Sequence, residues 1–243
     1  MADGFAGAPP GFRPLYRQVK ALLIQRISDR QWLPGQAIPA EPIIAAELGV
    51  SQGTVRKALD EMAAENVLVR RQGRGTYVAR HDEARILFQF FKIVPDGGVP
   101  VFPDSRLRSV TQGVADAAES RALALAPAAP VIRIARLREI AGVVAISEYL
   151  TLPAALFPDF PGEDVPNNLY DFYAARFGIT ISGGQERVKA VAASSDDAAH
   201  LGLVAGAPVL LIDRIAHALD GTRIEWRRSY CSTEACSYVG ELK

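Results

Sequence analysis

IPAEPIIAAELGVSQGTVRKALDEMAAENVLVRRQGRGTYV, residues 38–78, is the stretch on which the fold reading turns. Ile43, Ile44 and Leu48 predict a short helix with an apolar side, and Gly49 supplies the left-handed residue that ends it. Ser51 follows in the N-cap position, where its hydroxyl can accept an amide of the next turn. Val55, Ala58, Leu59 and Met62 then recur at i, i+3, i+4 and i+7, which predicts one buried stripe. That register sends Gln52, Gly53, Arg56 and Asp60 to the opposite face, with Thr54 and Lys57 beside them. A capped helix whose first turns are polar and free of acid can enter a major groove. Val67–Val69 and Thr76–Val78, joined through Gly73-Arg74-Gly75, predict a β-hairpin carrying Arg70, Arg71 and Arg74. The whole reads as a winged helix-turn-helix. An ordinary helical hairpin is the plainer alternative, but the turn glycine, cap, stripe and basic hairpin occur together and in order.

The same residues carry a resemblance. Pro14-Leu15-Tyr16, Leu33-Pro34-Gly35, Ile38-Pro39-Ala40-Glu41, Leu48-Gly49-Val50-Ser51, Thr54-Val55-Arg56-Lys57-Ala58-Leu59 and Gly73-Arg74-Gly75-Thr76 keep the order and spacing of the GntR family of bacterial transcription regulators. The likeness covers about the first 80 residues. It implies DNA contacts from Ser51, Gln52, Thr54, Arg56 and Lys57 on the recognition helix, and from Arg71, Gly73 and Arg74 on the wing. Two positions depart from the family pattern. Pro42 and Gln52 stand where many members carry arginine. Loss of a phosphate clamp at 42 is expected to weaken sequence-independent affinity, and Gln52 suits adenine where arginine would favour guanine.

The 243 residues suit two modest domains. A formal net charge of zero argues against nucleic acid only until its distribution is seen. Residues 1–81 hold 11 Lys+Arg against 7 Asp+Glu, and the remainder holds 16 against 20, so the front is +4 and the back −4. Positive charge is gathered where the winged helix lies. Cys231 and Cys236 make neither a disulfide framework nor a zinc spacing, so a reducing cytoplasm is the expected setting. No run of apolar residues is long enough to span a bilayer, and Met1 to Gly11 reads as a disordered leader rather than a signal peptide. No metal or cofactor is expected: His81, His200 and His217 are scattered, and Ser229 lacks the surroundings of a hydrolase nucleophile.

The expected organisation is a DNA-binding domain over 12–80, a charged linker over 81–85, and a second domain over 86–243. Pro14–Arg30 predicts an amphipathic helix. Ile86–Val94 predicts a strand, and Pro95–Pro103 a loop. The second domain contains a repeat. Displacing the chain by 78 residues aligns Ala118–Arg136 with Asp196–Arg214, and seven of the nineteen pairs are identical, including Ala129/Ala207, Pro130/Pro208, Val131/Val209 and Arg136/Arg214. Each copy reads as helix, turn and strand, followed by a hairpin partner over Val143–Leu152 or Thr222–Cys231. Two such units related by a pseudo-twofold axis predict one antiparallel sheet with packed helices. A helix over Leu169–Phe177 and a strand over Ile179–Ala192 lie between them. The fold class is therefore α+β.

In the strand Val131–Ile140, alternation places Arg136 and Arg138 on one apolar face. Buried guanidiniums need partners. Glu148 and Glu225 lie in the hairpin partner strands, so the residues alone allow either internal ion pairs or an anion-binding site. This half resembles the UTRA effector-binding domain of the HutC branch of the same family, which has a chorismate-lyase-like fold. Pro130-Val131, Arg136-Leu137-Arg138, Gly142, Glu148, Leu152-Pro153, Leu169-Tyr170, Ala207-Pro208-Val209, Arg214, Glu225 and Arg228-Ser229 carry the likeness. It implies an effector pocket at Arg136, Arg138, Glu148, Asn168, Tyr170, Glu225 and Cys231. Relatives that bind phosphosugars have Ser at the position of Asn168, Tyr at that of Cys231, and Ser-Phe-Thr where Phe90-Phe91-Lys92 stands. A small carboxylate or aromatic acid fits the remaining groups as well as a phosphate does.

The expectation is a homodimeric repressor on a palindromic operator, controlled by a small anionic metabolite. The alternatives are a chorismate-lyase-like enzyme tethered to a DNA-binding module, and an architectural DNA-binding protein without ligand.

Overall fold

The computed structural model describes residues 14–80 and 90–240. The expected leader, the linker over 81–85 and the first residues (86–89) of the strand expected at Ile86 lie outside them. The chain separates into two compact units, Met1–Ala79 and Arg80–Lys243.

In the first unit, α1 (Leu15–Ser28) turns Val19, Leu23 and Ile27 inward at four-residue intervals. Helix α2 (Glu41–Leu48) carries Pro42 in its first turn, where no amide donor is needed, and ends on Gly49 at φ 64°. Its apolar side differs from the expected one. Ile44 and Ala45 are buried, while Ile43 is 60 % exposed. At 3.6 residues per turn Ile43 lies about 140° around the axis from Leu48, so both cannot face one core. Helix α3 (Gln52–Ala64) is capped by Ser51, whose Oγ accepts from the Thr54 amide at 3.2 Å. Val55, Ala58, Leu59 and Met62 are buried beneath it. Strands β1 (Leu68–Arg71) and β2 (Gly75–Val78) pair antiparallel from Leu68↔Val78 to Arg71↔Gly75. Gly73, at φ 69°, makes the tip. The amide of Ile38 donates to Thr76 O at 2.9 Å and that of Val78 to Gln36 O at 2.9 Å, tying the hairpin back to the segment before α2.

The second unit is a six-stranded antiparallel sheet. Its strands are β4 (Asp104–Val114), β5 (Pro130–Ile140), β6 (Val143–Pro153), β7 (Ile181–Ala192), β8 (Pro208–Ala218) and β9 (Arg223–Cys231), in the order β4-β5-β6-β9-β8-β7. Strand β3 (Ile93–Pro95) pairs separately with β10 (Cys236–Tyr238), so the described part of the expected Ile86–Val94 strand is only this short ribbon. The order is symmetric about the β6–β9 seam, as a 78-residue repeat requires. Helices α4 (Ala117–Leu123) and α6 (Ser195–Leu201) are repeat mates, begun by Asp116 and Ser194. Their left-handed ends are mates as well, Ala124 (φ 53°) and Gly202 (φ 69°). The repeat is one strand longer than its identities reveal, because β4 and β7 precede the two helices at the same offset.

The sheet has two distinct faces. On one, Arg133 of β5 and Thr151 of β6 bond Glu119 of α4, while Ser147 and Tyr149 of β6 bond Asp197 of α6. On the other, Ile132, Ile134, Leu150 and Leu152 pack under Phe157, Phe160, Leu169 and Tyr173. Those last residues belong to the long connection between β6 and β7 and to α5 (Leu169–Phe172), which runs on as a wider π turn through Phe177. Arg136 and Arg138 occupy this second face. The core therefore delivers guanidiniums to a closed, apolar surface.

Candidate DNA interface and effector cleft

The outward side of α3 presents Gln52, Arg56 and Lys57, all exposed, with Thr54 partly covered. Ser51 Oγ stands 2.8 Å from Thr54 Oγ1 in addition to its cap bond, so its hydroxyl is committed to the helix start. Lys57 Nζ sits 4.1 Å from the centre of the Tyr16 ring, and the Arg71 guanidinium 4.7 Å from that of Tyr77. Both cations rest on aromatic faces that hold them outward. Arg74 is exposed at the wing tip beside Gly73, and its carbonyl accepts from the Tyr77 hydroxyl at 3.0 Å.

Glu41, at the start of α2, was read only as part of a motif, and its contacts were not foreseen. Its carboxylate accepts from Arg56 Nε at 2.9 Å, from Gln52 Nε2 at 3.4 Å and from Arg70 Nη2 at 3.4 Å, and Arg70 also meets Asp60 at 2.6 Å. Recognition helix and wing are thus fastened to one acid. The only signal in the sequence was an acid directly preceding Pro42.

On the inner face of the second unit, the arginines of β5 open onto a shallow cleft walled by Phe90, Phe91, Phe102, Asn167, Asn168 and Tyr170, with Arg214 and Arg227 also lining it. A neighbouring hollow shares Phe91, Arg214 and Arg227 and adds Glu148, Ser229 and Cys231. Six of the seven predicted effector residues therefore lie on one of two adjoining hollows. Glu225 lines neither. It is fully buried and accepts from the Tyr170 and Tyr173 hydroxyls and from Nε and Nη2 of Arg227 (2.8 and 2.9 Å). Its place is behind the cleft, holding Arg227. Sequence reasoning missed Arg227 and Asn167 altogether. Arg214 was visible as the repeat mate of Arg136.

The charges are tightly organised. Glu148 accepts from Arg136 Nε at 2.5 Å, from Arg227 Nη1 at 3.4 Å and from the Ser229 hydroxyl at 3.1 Å. Burial pushes its carboxyl upward, but the guanidiniums of Arg136, Arg227 and Arg138 outweigh this and hold it well below the usual carboxylate range. Arg214 is paired with Glu186 and donates to the Phe90 carbonyl. Burial raises Tyr170 and Tyr173, with Glu225 adding to the effect, and it also raises the Cys231 thiol, so these groups stay neutral.

Arg138 is the exception. It is 3 % exposed, its Nη2 donates to Pro103 O at 3.1 Å, and its Nη1 approaches Glu148 only to 3.8 Å. Among the described residues nothing accepts from its Nε. Burial, and next the like charge of Arg136, push its pKa well below the ordinary guanidinium value. An arginine does not release its proton under such pressure. Its charge is met only by Glu148, which Arg136 already engages more closely.

A winged helix joined to a receptor sheet with a cationic cleft defines a DNA-binding regulator with an effector domain. Residues 15–78 match the bacterial regulatory proteins of the gntR family, and residues 101–237 match the UTRA domain. The chain belongs to the UTRA-bearing branch of the GntR family. Among its relatives are the HTH-type transcriptional regulator SmoD of Agrobacterium fabrum, 27% identical over 96% of this chain and 98% of that protein, and the transcriptional repressor NagR of Bacillus subtilis, 28% identical over 93% of each. The histidine utilization repressor of Pseudomonas putida is 29% identical over 84% of this chain and 82% of its own. The crystal structure of PhnF from Mycobacterium smegmatis superposes with a TM-score of 0.54 at 26% identity, covering 93% of this chain and 99% of that one. The family and these relatives make this protein a transcription regulator whose second domain binds a small effector. Among the described residues no helix is long and apolar enough to cross a membrane.

Proposed function

We propose that the protein is a homodimeric repressor acting in the cytoplasm, which grips a palindromic operator through two winged helices and changes its grip when an anionic metabolite enters the Arg138 cleft. The buried, unsatisfied Nε of Arg138 carries the effector half of this reading. The repressor sense follows the names of relatives such as NagR and the histidine utilization repressor. The effector residues are Arg136, Arg138, Asn168 and Tyr170 at the cleft, Glu148 and Cys231 in the adjoining hollow, and Glu225 as support. The DNA residues are Gln52, Thr54, Arg56, Lys57, Arg71, Gly73 and Arg74, with Ser51 serving the helix start.

For ligand and operator to influence each other, the ligand must bind two states of the protein unequally. The cleft supplies a physical basis, since filling it neutralises a buried charge in one state. The enzyme alternative fares poorly: Arg136, Arg214 and Arg227 are committed to internal carboxylates, and the Cys231 thiol and both tyrosines are pushed away from ionisation. The DNA half is tested by fluorescence anisotropy on an operator fragment. Arg56→Ala is expected to weaken binding about tenfold to a hundredfold, corresponding to roughly 1–3 kcal/mol. Equal binding by parent and variant at moderate salt would overturn it.

A further inference from the structure

The cleft also specifies the charge of what it takes, an inference that rests on the Arg138 reading above. Among the described residues, four arginines and three carboxylates share the buried face. Arg136 is matched by Glu148, Arg214 by Glu186 and Arg227 by Glu225. Arg138 reaches only the Glu148 carboxylate that Arg136 already occupies. Lys92, half-buried beside the neighbouring hollow, and the exposed Asp104, whose charge acts on Arg138, add one charge of each sign. Tyr170, Tyr173 and Cys231 add no charge. The buried set therefore carries one surplus positive charge, located on one guanidinium with a free Nε.

From this surplus we propose that the effector is a compact monoanion, a monocarboxylate with a flat or apolar body, rather than a dianionic phosphate monoester. One carboxylate accepts from Arg138 Nε and a neighbouring N–H as a fork. Its body lies against Phe102, whose ring centre is 5.6 Å from the Arg138 guanidinium carbon, and against Phe90, packed edge-on to Tyr170 with centroids 5.0 Å apart. A phosphate monoester, near −2 at neutral pH, would leave a buried negative charge beside Glu148. Uncompensated charge in a dry site is what binding penalises.

The test uses two matched probe sets at pH 7.5, read by isothermal titration and thermal shift: benzoate, phenylacetate and cinnamate as monocarboxylates, and phenyl phosphate as the dianion of similar body. The expected result is that at least one monocarboxylate binds at least ~10-fold tighter than phenyl phosphate, and that Arg138→Gln removes this binding. Glu186→Gln, which raises the surplus to two charges at a partly open site, is expected to shift the preference toward phenyl phosphate; Glu148→Gln is the second variant should the first not fold. Tighter binding of phenyl phosphate by the parent overturns the monoanion inference and leaves the effector site standing. Silence from every probe, or binding that Arg138→Gln does not change, overturns the site reading and the inference with it.

Discussion

Replacing Arg138 by methionine should make the ligand-free protein more stable, whereas the same change two residues earlier should cripple it. Arg138 is 3 % exposed, with an Nε that has no acceptor among the described residues and with Arg136 and Arg227 as like-charged neighbours. An unsatisfied buried polar group costs about 1–3 kcal/mol. Methionine removes that cost and keeps most of the apolar stem. The loss is the 3.1 Å bond to Pro103 O, worth about 1 kcal/mol. Glu148 keeps Arg136 at 2.5 Å and Arg227 at 3.4 Å, so no acid is stranded. The net gain is roughly 0–2 kcal/mol, which for a unit of this size raises Tm by up to about 8 °C. Arg136→Met does the reverse. It strips the shortest partner from a buried carboxylate, a loss of about 3–5 kcal/mol. Differential scanning calorimetry of the ligand-free proteins decides the matter. If Arg138→Met melts below the parent, the guanidinium is satisfied in a way that the cleft geometry does not show, and the argument for an anion there fails.

Two further outcomes follow from particular contacts. Glu41→Gln should release Arg56 and Arg70 to phosphate, raising affinity for non-operator DNA and steepening the log affinity against log salt slope by about one; an unchanged slope would show that Glu41 does not restrain them. Glu148 has a folded-state pKa depressed below its unfolded value of about 4.3. Its contribution is therefore present above that value and lost as pH falls below it. Glu148→Gln should destabilise at pH 7, and the gap between variant and parent Tm should shrink from about pH 4 downward, which an acid series of thermal melts would reveal.

Whatever depends on local geometry was legible in the chain itself. Gly49, Ser51 and the stripe Val55-Ala58-Leu59-Met62 are within one or two turns of each other, so caps and a 3.6-residue period suffice to place them, although Ile43 was assigned to the wrong side. The identities at a spacing of 78 residues announced the pseudo-twofold sheet before any strand was paired. Alternation alone put Arg136 and Arg138 on one face. Strand β4 was not legible, because an edge strand with polar residues on both sides carries no apolar pattern. Only the folded chain decided which carboxylate each arginine meets. That choice depends on strand register across β5, β6, β9, β8 and β7, between residues as far apart in sequence as Glu148 and Arg227. It is also why Glu225 stands behind the cleft, why Glu41 holds Arg56, and why one guanidinium of four keeps an Nε with no acceptor among the described residues: charge pairing is a property of positions in space, and no periodicity encodes it.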